Sequence, residues 1–183
     1  MAEFLCAYTD TLGKEGGYSN RRKTDRGGET FCGISRNHHP ECKIWPLIDE
    51  HFTKGGSAKD IIGIPGIMAI IAEFYRDNFW LPLFCDKIKS QKIANELFDS
   101  GVNCGPGNAV RFLQKSLNLI NKCNLKVDGA MGPKTLTEVN DCLHSEALLK
   151  AMNGFQFMHY EKLAESDSTQ ISNFTGWMAR VWS

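Results

Sequence analysis

Two glycine pairs in one short polar segment restrict the fold of this chain more than any other feature. The segment, residues 14–35, reads KEGGYSNRRKTDRGGETFCGIS. Because glycine readily adopts left-handed backbone conformations, the pairs predict turns and a short hairpin. Apolar residues at helical spacing precede the segment and predict a first helix over residues 2–14: Phe4, Leu5, Tyr8 and Leu12.

Helical periodicity dominates the remainder of the chain. No long apolar periodicity is visible before residue 56, and helices are then predicted over residues 66–80, 90–104, 108–119, 145–163 and 172–182. Ser90 is a candidate helix cap, and Pro133 suits a first helical position. The sequence therefore predicts a mainly α fold with a small β-hairpin in the N-terminal third.

Composition excludes several classes of partner. The 183 residues carry 21 basic and 21 acidic side chains, which gives no net charge to attract nucleic acid. No apolar run approaches about 18 residues, so membrane insertion is not expected. The first ten residues lack the pattern of a signal peptide. We expect a monomer made in the cytoplasm, which reaches any external target only after release.

The seven cysteines are spread along the chain without a close CxxC pair. Small buried apolar side chains are the simplest interpretation of such cysteines. A zinc site at Cys32, His38, His39 and Cys42 is an alternative, although their spacing fits no common zinc finger. We expect no metal and no organic cofactor.

The glycine-rich segment also contains a pattern suited to cleavage of a glycosidic bond. Glu15 lies at the predicted end of the first helix, and the following hairpin carries Asp25 and Thr30. Such cleavage needs one carboxylic acid to protonate the leaving oxygen, and a second group to stabilise positive charge or activate water. The alternatives are a turn-forming role for Asp25 and a capping role for the Thr30 hydroxyl.

The stretch EGGYSNRRKTDRGGETFCGIS resembles the glycine-rich signature of glycoside hydrolase family 108, which comprises lysozyme-like N-acetylmuramidases of phages and bacteria. The resemblance places the proposed catalytic glutamate of that family on Glu15 and implies a lysozyme-like helical fold. Residues 21–23, Arg-Arg-Lys, depart from the acidic, proline-containing segment usual at this place. This departure affects expected contacts with the substrate chain but retains the carboxylates.

Three later stretches extend the resemblance over nearly the whole chain: FDSGVNCGPGNAVRFLQKSLN, VDGAMGPKTLTEVN and GWMARV. They are similar to the predicted peptidoglycan-binding domain of the same family. The resemblance implies a catalytic part at residues 4–88 and a helical peptidoglycan-binding part at residues 89–182, packed against the first.

The order Glu15, Asp25, Thr30 is also similar to phage-type lysozymes. That likeness implies that Asp25 stabilises developing charge or helps to position water, and that Thr30 holds the attacking water. Tyr18 and Asn20 are candidates for hydrogen bonds to sugar groups, or they simply close the turn. Gly28 would permit close approach of a ligand. Asn103, on a later predicted helix, is a further candidate for substrate binding.

The resemblance implies hydrolysis of the β-1,4 bond between N-acetylmuramic acid and N-acetylglucosamine, in peptidoglycan glycan strands, by a phage-type endolysin. Three alternatives stay open. They are a lytic transglycosylase, a glycosidase that acts on chitin or another N-acetylated glycan, and a cell-wall-binding protein without catalytic activity.

Overall fold

The computed structural model describes residues 1–12, 17–20 and 28–181, and these residues are mainly helical. Eight α-helices occur among them: α1 Phe4–Leu12, α2 Ile44–Thr53, α3 Ile67–Tyr75, α4 Gln91–Cys104, α5 Pro106–Ile120, α6 Pro133–Asn140, α7 Ser145–Ser166 and α8 Phe174–Val181. The predicted mainly α, lysozyme-like fold with a small β structure in the N-terminal third is confirmed. None of the described helices is long and apolar enough to cross a bilayer.

The chain divides into two compact units. The N-terminal unit comprises Tyr8–Asn78, and the C-terminal unit comprises Met1–Ala7 together with Phe79–Ser183. The division after residue 88, expected from the resemblance, stays a prediction.

A small antiparallel sheet lies in the N-terminal unit. Its strands are β1 Ser19–Asn20, β2 Glu29–Phe31 and β3 Ile34–Ser35, in the order β1-β2-β3. Cys32 and Gly33 connect β2 to β3 with φ angles of 45° and 77°. Positive φ at both central residues is the requirement of a type I′ hairpin turn. The Tyr75 hydroxyl donates a hydrogen bond of 2.8 Å to the Cys32 carbonyl and so holds this turn in place.

Helix α2 contradicts the expectation that no apolar periodicity begins before residue 56. Ile44, Trp45 and Ile48 of this helix are buried and contribute to the core of the N-terminal unit. Pro46 lies in its first turn, where a backbone N–H has no partner within the helix, so proline is tolerated. The prediction was wrong because the buried face of this helix consists of only three apolar residues among polar neighbours.

Two other predicted helices are interrupted. The helix expected over residues 66–80 is α-helical only over α3 and continues as a π-helical turn at Arg76–Trp80. The C-terminal helix begins later than expected, because Ser168–Asn173 forms a 3-10 helix before α8. At the first helix, residues 13 and 14 lie outside the described part of the chain.

Helices α4, α5 and α7 form the centre of the C-terminal unit. The Ser90 hydroxyl accepts a hydrogen bond of 3.5 Å from the Ile93 amide and caps α4, as predicted. Gly105 separates α4 from α5 with a φ of 85°. The apolar faces of the three helices supply the core: Ile93, Ala94, Leu97, Phe98, Ala109, Val110, Leu113, Leu117, Leu148 and Met152.

A buried glutamine fixes the loop between α5 and α6. The Gln114 amide donates hydrogen bonds of 3.0 Å to the Asp128 carboxylate and 3.1 Å to the Ala130 carbonyl. Its oxygen accepts a bond of 3.0 Å from the Gly129 amide. Gly129 has a φ of 78°, which confirms the turn predicted at Asp128-Gly129. These bonds give Gln114 and this turn a structural role in the C-terminal unit.

Candidate active site

The two carboxylates predicted to perform catalysis, Glu15 and Asp25, lie outside the described residues. Their assignment therefore stays a prediction. The described chain resumes at Gly17 after the first of these residues and at Gly28 after the second. The described part of the candidate site therefore consists of the small sheet, β1 to β3, and helix α2 beside it.

Thr30, the third predicted catalytic residue, lies at the centre of the sheet. It is directly opposite Ser19 on β1 and opposite Ser35 on β3. Directly opposed residues of antiparallel strands project to the same side, so the three hydroxyl side chains share one face, which we call the hydroxyl face. All three are partly exposed. The Ser35 hydroxyl also lies 3.0 Å from the His38 Nδ1 atom.

The opposite face of the sheet carries Glu29, whose carboxylate is fixed by two neighbours. The Tyr18 hydroxyl donates a hydrogen bond of 2.7 Å to Glu29 Oε1. Arg36 Nε lies 2.7 Å from Glu29 Oε2. Burial, and then the hydrogen bond to Glu29, raise the pKa of Tyr18 to about 12. The Tyr18 hydroxyl therefore remains protonated at neutral pH and donates its hydrogen bond to Glu29. A contact between Tyr18 and a sugar stays a prediction.

Arg36 extends this contact to helix α2. Its guanidinium donates to both oxygens of Asp49, with distances of 3.0 and 2.6 Å. The same group lies 4.7 Å from the centre of the Trp45 ring, within the range of a cation–π interaction. The hydrogen bond to Asp49 raises the pKa of Arg36, and its counterpart lowers the pKa of Asp49. Both groups are therefore charged at neutral pH.

These acidic and basic residues were not predicted as part of the site. The Arg36 network, by which we mean Tyr18, Glu29, Arg36 and Asp49, connects residues separated by up to 31 positions in the sequence. Of the three charged residues, only Glu29 lies within the glycine-rich motif, where it directly precedes Thr30. The pairing of Arg36 with Asp49 depends on where α2 packs, and no local pattern indicates it.

Two further predicted binding residues lie at the paired ends of β1 and β2. Asn20 is exposed and is opposite Glu29 in the register. Gly28 has a φ of 62°, and a Cβ atom there would lie 2.5 Å from Asn37 Nδ2. The positive φ favours glycine at this position, and a larger residue would also displace the Asn37 side chain. Ligand contact at Asn20 and Gly28 stays a prediction.

The remaining predicted binding residue, Asn103, belongs to α4 in the C-terminal unit. Its side-chain amide donates a hydrogen bond of 2.8 Å to the Asp99 carbonyl one helical turn earlier. The other described candidates belong to the N-terminal unit: Tyr18, Asn20, Gly28 and Thr30. A role for Asn103 in substrate binding stays a prediction.

A buried polar cluster, which the sequence did not indicate, lies between α4 and α7. Burial raises the pKa of Glu96 to about 8, so its carboxyl group is largely protonated at neutral pH. The Ser100 hydroxyl donates a hydrogen bond of 2.9 Å to Glu96 Oε1. Burial also raises the pKa of Cys104 to about 11 and, together with a hydrogen bond to Cys104, raises the pKa of Tyr160. The cluster is therefore kept uncharged, and Tyr160 stacks on Trp177 with ring centres 4.8 Å apart.

The zinc alternative receives no support from the described residues. Cys32, His38, His39 and Cys42 all belong to the described part of the chain, yet no three His, Cys, Asp or Glu side chains there form a group that could hold a metal ion. Cys42 is buried, and burial raises the pKa of its thiol.

Comparison with protein families covers almost the same span as the sequence motifs. Residues 8–105 match the model of Glycosyl hydrolase 108, and residues 108–182 match the Predicted Peptidoglycan domain. The chain belongs to the glycosyl hydrolase 108 family. This family member is a glycoside hydrolase, and its second domain identifies peptidoglycan as the polymer on which it acts.

A solved structure supports the fold assignment of this glycosyl hydrolase 108 member. The structure described as "Structure of Brucella abortus SagA" is similar with a TM-score of 0.64 and 23% sequence identity. The match covers 97% of this chain and 88% of that chain. At this identity the likeness shows the fold alone. No curated protein matches the sequence of the chain significantly.

Proposed function

We propose that this glycoside hydrolase is an N-acetylmuramidase, which hydrolyses the β-1,4 bond between N-acetylmuramic acid and N-acetylglucosamine. The observation that carries the proposal is the family match over residues 8–105, which includes the motif from Glu15 to Ile34, followed by the peptidoglycan domain. The partly exposed hydroxyl face around Thr30 supports it, because a hydroxyl group there is available to water or a sugar.

In the proposed reaction, Glu15 donates its proton to the leaving glycosidic oxygen. Asp25 stabilises the oxocarbenium-like transition state or helps water to attack from the opposite side of the sugar, and Thr30 holds that water. The separation of the two carboxyl groups would decide whether the product retains or inverts the anomeric configuration.

The test is digestion of purified peptidoglycan by the unsubstituted chain and by Glu15→Gln, with mass spectrometry of the fragments. We expect fragments ending in reducing N-acetylmuramic acid, and at least about 100-fold slower release by Glu15→Gln, as is usual for loss of a general acid. Anhydro-sugar ends would instead identify a lytic transglycosylase. Equal release by both proteins would refute the role of Glu15, and binding without release would identify a cell-wall-binding protein.

The biological setting forms part of the same proposal. We propose that the chain acts on the cell wall after release from the cytoplasm, as a phage-type endolysin. Expression in bacteria with and without a membrane-permeabilising protein tests this, because lysis would require both proteins. Digestion of chitin oligomers in parallel tests the alternative substrate, and light scattering after size-exclusion chromatography tests the monomeric state.

A further inference from the structure

The small sheet is too short to hold its own shape. Its strands contain two, three and two residues. Isolated hairpins of ordinary length are at best marginally stable in water, and a sheet needs a packed face or a neighbouring helix to persist. The position of the sheet therefore depends on its attachments: the buried side chains of Phe31 and Ile34, the hydrogen bond from Tyr75 to Cys32, and the contacts with α2.

The Arg36 network attaches the sheet to α2. It includes a residue in or next to each of the three strands. Tyr18 directly precedes β1, Glu29 begins β2, and Arg36 directly follows β3. Arg36 joins Glu29 on the sheet to Asp49 on α2, and the Tyr18 ring packs against Phe52 of the same helix with ring centres 5.2 Å apart. The Arg36 guanidinium group thus supplies the charged connection between the sheet and the helix, and Tyr18 adds an aromatic contact.

The network and the hydroxyl face lie on opposite sides of the same short strand. Successive side chains of a strand project to opposite faces, so Glu29 faces α2 while Thr30 projects away from it. The backbone amide of Arg36 also donates a hydrogen bond of 2.8 Å to the Glu29 carbonyl. A displacement of Arg36 would consequently tilt β2 and move the Thr30 hydroxyl.

The network also lies beside the paired ends of β1 and β2. Asn20 on β1 is paired with Glu29 on β2, and Arg36 contacts the side chain of Glu29.

We propose that Arg36 is a positioning residue for catalysis, which orients the Thr30 hydroxyl through its contacts with Glu29 and Asp49. This inference rests on the proposed function. Arg36 itself need not touch the substrate. A shift of about 1 Å in a reacting or water-holding group lowers turnover by up to about 100-fold, so a residue acting in this way has a large effect on kcat.

The central test is Arg36→Lys, because lysine keeps the positive charge but lacks the planar fork that contacts two carboxylates at once. Turnover would be measured on soluble oligomers of alternating N-acetylmuramic acid and N-acetylglucosamine. We expect kcat to fall by about 10-fold or more while KM changes by less than about 2-fold. Lys92→Gln is the matched control, since it removes a lysine from an exposed ion pair with Glu146 in the C-terminal unit and should leave kcat unchanged.

A double variant separates positioning from a general loss of structure. In the Thr30→Ala background, the hydroxyl that Arg36 orients is absent, so adding Arg36→Lys should lower kcat by much less than it does alone. Circular dichroism would confirm that each variant is folded. Hydrogen exchange of residues 28–35 would report the sheet directly, and we expect faster exchange in Arg36→Lys.

The possible results are distinguishable. Normal kcat in Arg36→Lys, or a full additional loss in the Thr30→Ala background, would overturn the inference while leaving the proposed function intact. Absence of turnover by the unsubstituted chain would instead overturn the proposed function, and with it the catalytic role of Arg36. A fall in kcat with unchanged exchange of residues 28–35 would also contradict positioning through the sheet.

Discussion

Replacement of Glu96 by glutamine should make the protein more stable at alkaline pH. In the folded chain, burial raises the pKa of the Glu96 carboxyl group to about 8 from its ordinary value of 4.5. Between these two values the unfolded chain has lost the proton and the folded chain still holds it. The contribution of Glu96 to the unfolding free energy is therefore fully present below about pH 4.5, and it is lost as the pH rises towards 8.

The size of this effect follows from the two pKa values. At about 1.4 kcal/mol for each pH unit, the interval from pH 5 to pH 8 corresponds to about 4 kcal/mol of unfolding free energy. Glutamine occupies nearly the same volume, retains an oxygen that can accept the Ser100 hydrogen bond, and does not ionise. The unfolding free energy of Glu96→Gln should therefore lack the part of the pH dependence that arises from Glu96.

The assay is urea unfolding of both proteins between pH 5 and pH 8.5, followed by tryptophan fluorescence and circular dichroism. The unfolding free energy of the unsubstituted chain should fall by about 4 kcal/mol relative to Glu96→Gln across this range. Glu161→Gln, at an exposed position of α7, is the matched control and should follow the unsubstituted chain. A difference between Glu96→Gln and the unsubstituted chain that stays constant with pH would refute the buried neutral carboxyl group.

Three further substitutions test local structure in the C-terminal unit by thermal and urea unfolding. Gln114→Leu removes the bonds that fix the α5–α6 loop and should lower the unfolding free energy by about 2–3 kcal/mol; an unchanged value would show that those bonds are dispensable. Gly129→Ala should cost about 1–2 kcal/mol, because the left-handed backbone at this position is unfavourable for a residue with a Cβ atom, and that atom would lie 2.7 Å from the Gly107 carbonyl oxygen. Ser90→Ala should cost about 1 kcal/mol through loss of the α4 cap, whereas Ser90→Asp should restore it.

Regular helices were predictable because each carries its own signals. Helix α4 has the Ser90 cap, a continuous apolar face and Gly105 at its end, so its bounds follow from local sequence. Helix α6 begins at Pro133 as expected. Helix α2 was missed because its short apolar face, Ile44, Trp45 and Ile48, lies between polar stretches, and Pro46 is compatible with the first turn of a helix.

The candidate site was only partly predictable. The glycine-rich motif indicated the turns and Thr30, since both depend on neighbouring residues. The roles of Tyr18 and Arg36 depend on contacts with Glu29 and Asp49, which form only when the sheet packs on α2. The neutral state of Glu96 likewise arises from burial between helices, and burial of a single carboxyl group has no signature in a polar stretch of sequence.

Dependence of the sheet on later parts of the chain has a consequence for synthesis of the protein. The turn at Cys32 is held by Tyr75, which is 43 residues further along, and β2 is held through Asp49. A growing polypeptide cannot complete these contacts until Tyr75 has emerged from the ribosome. During synthesis the turn between β2 and β3 therefore lacks this hydrogen bond until the chain has been extended by at least 43 residues beyond Cys32.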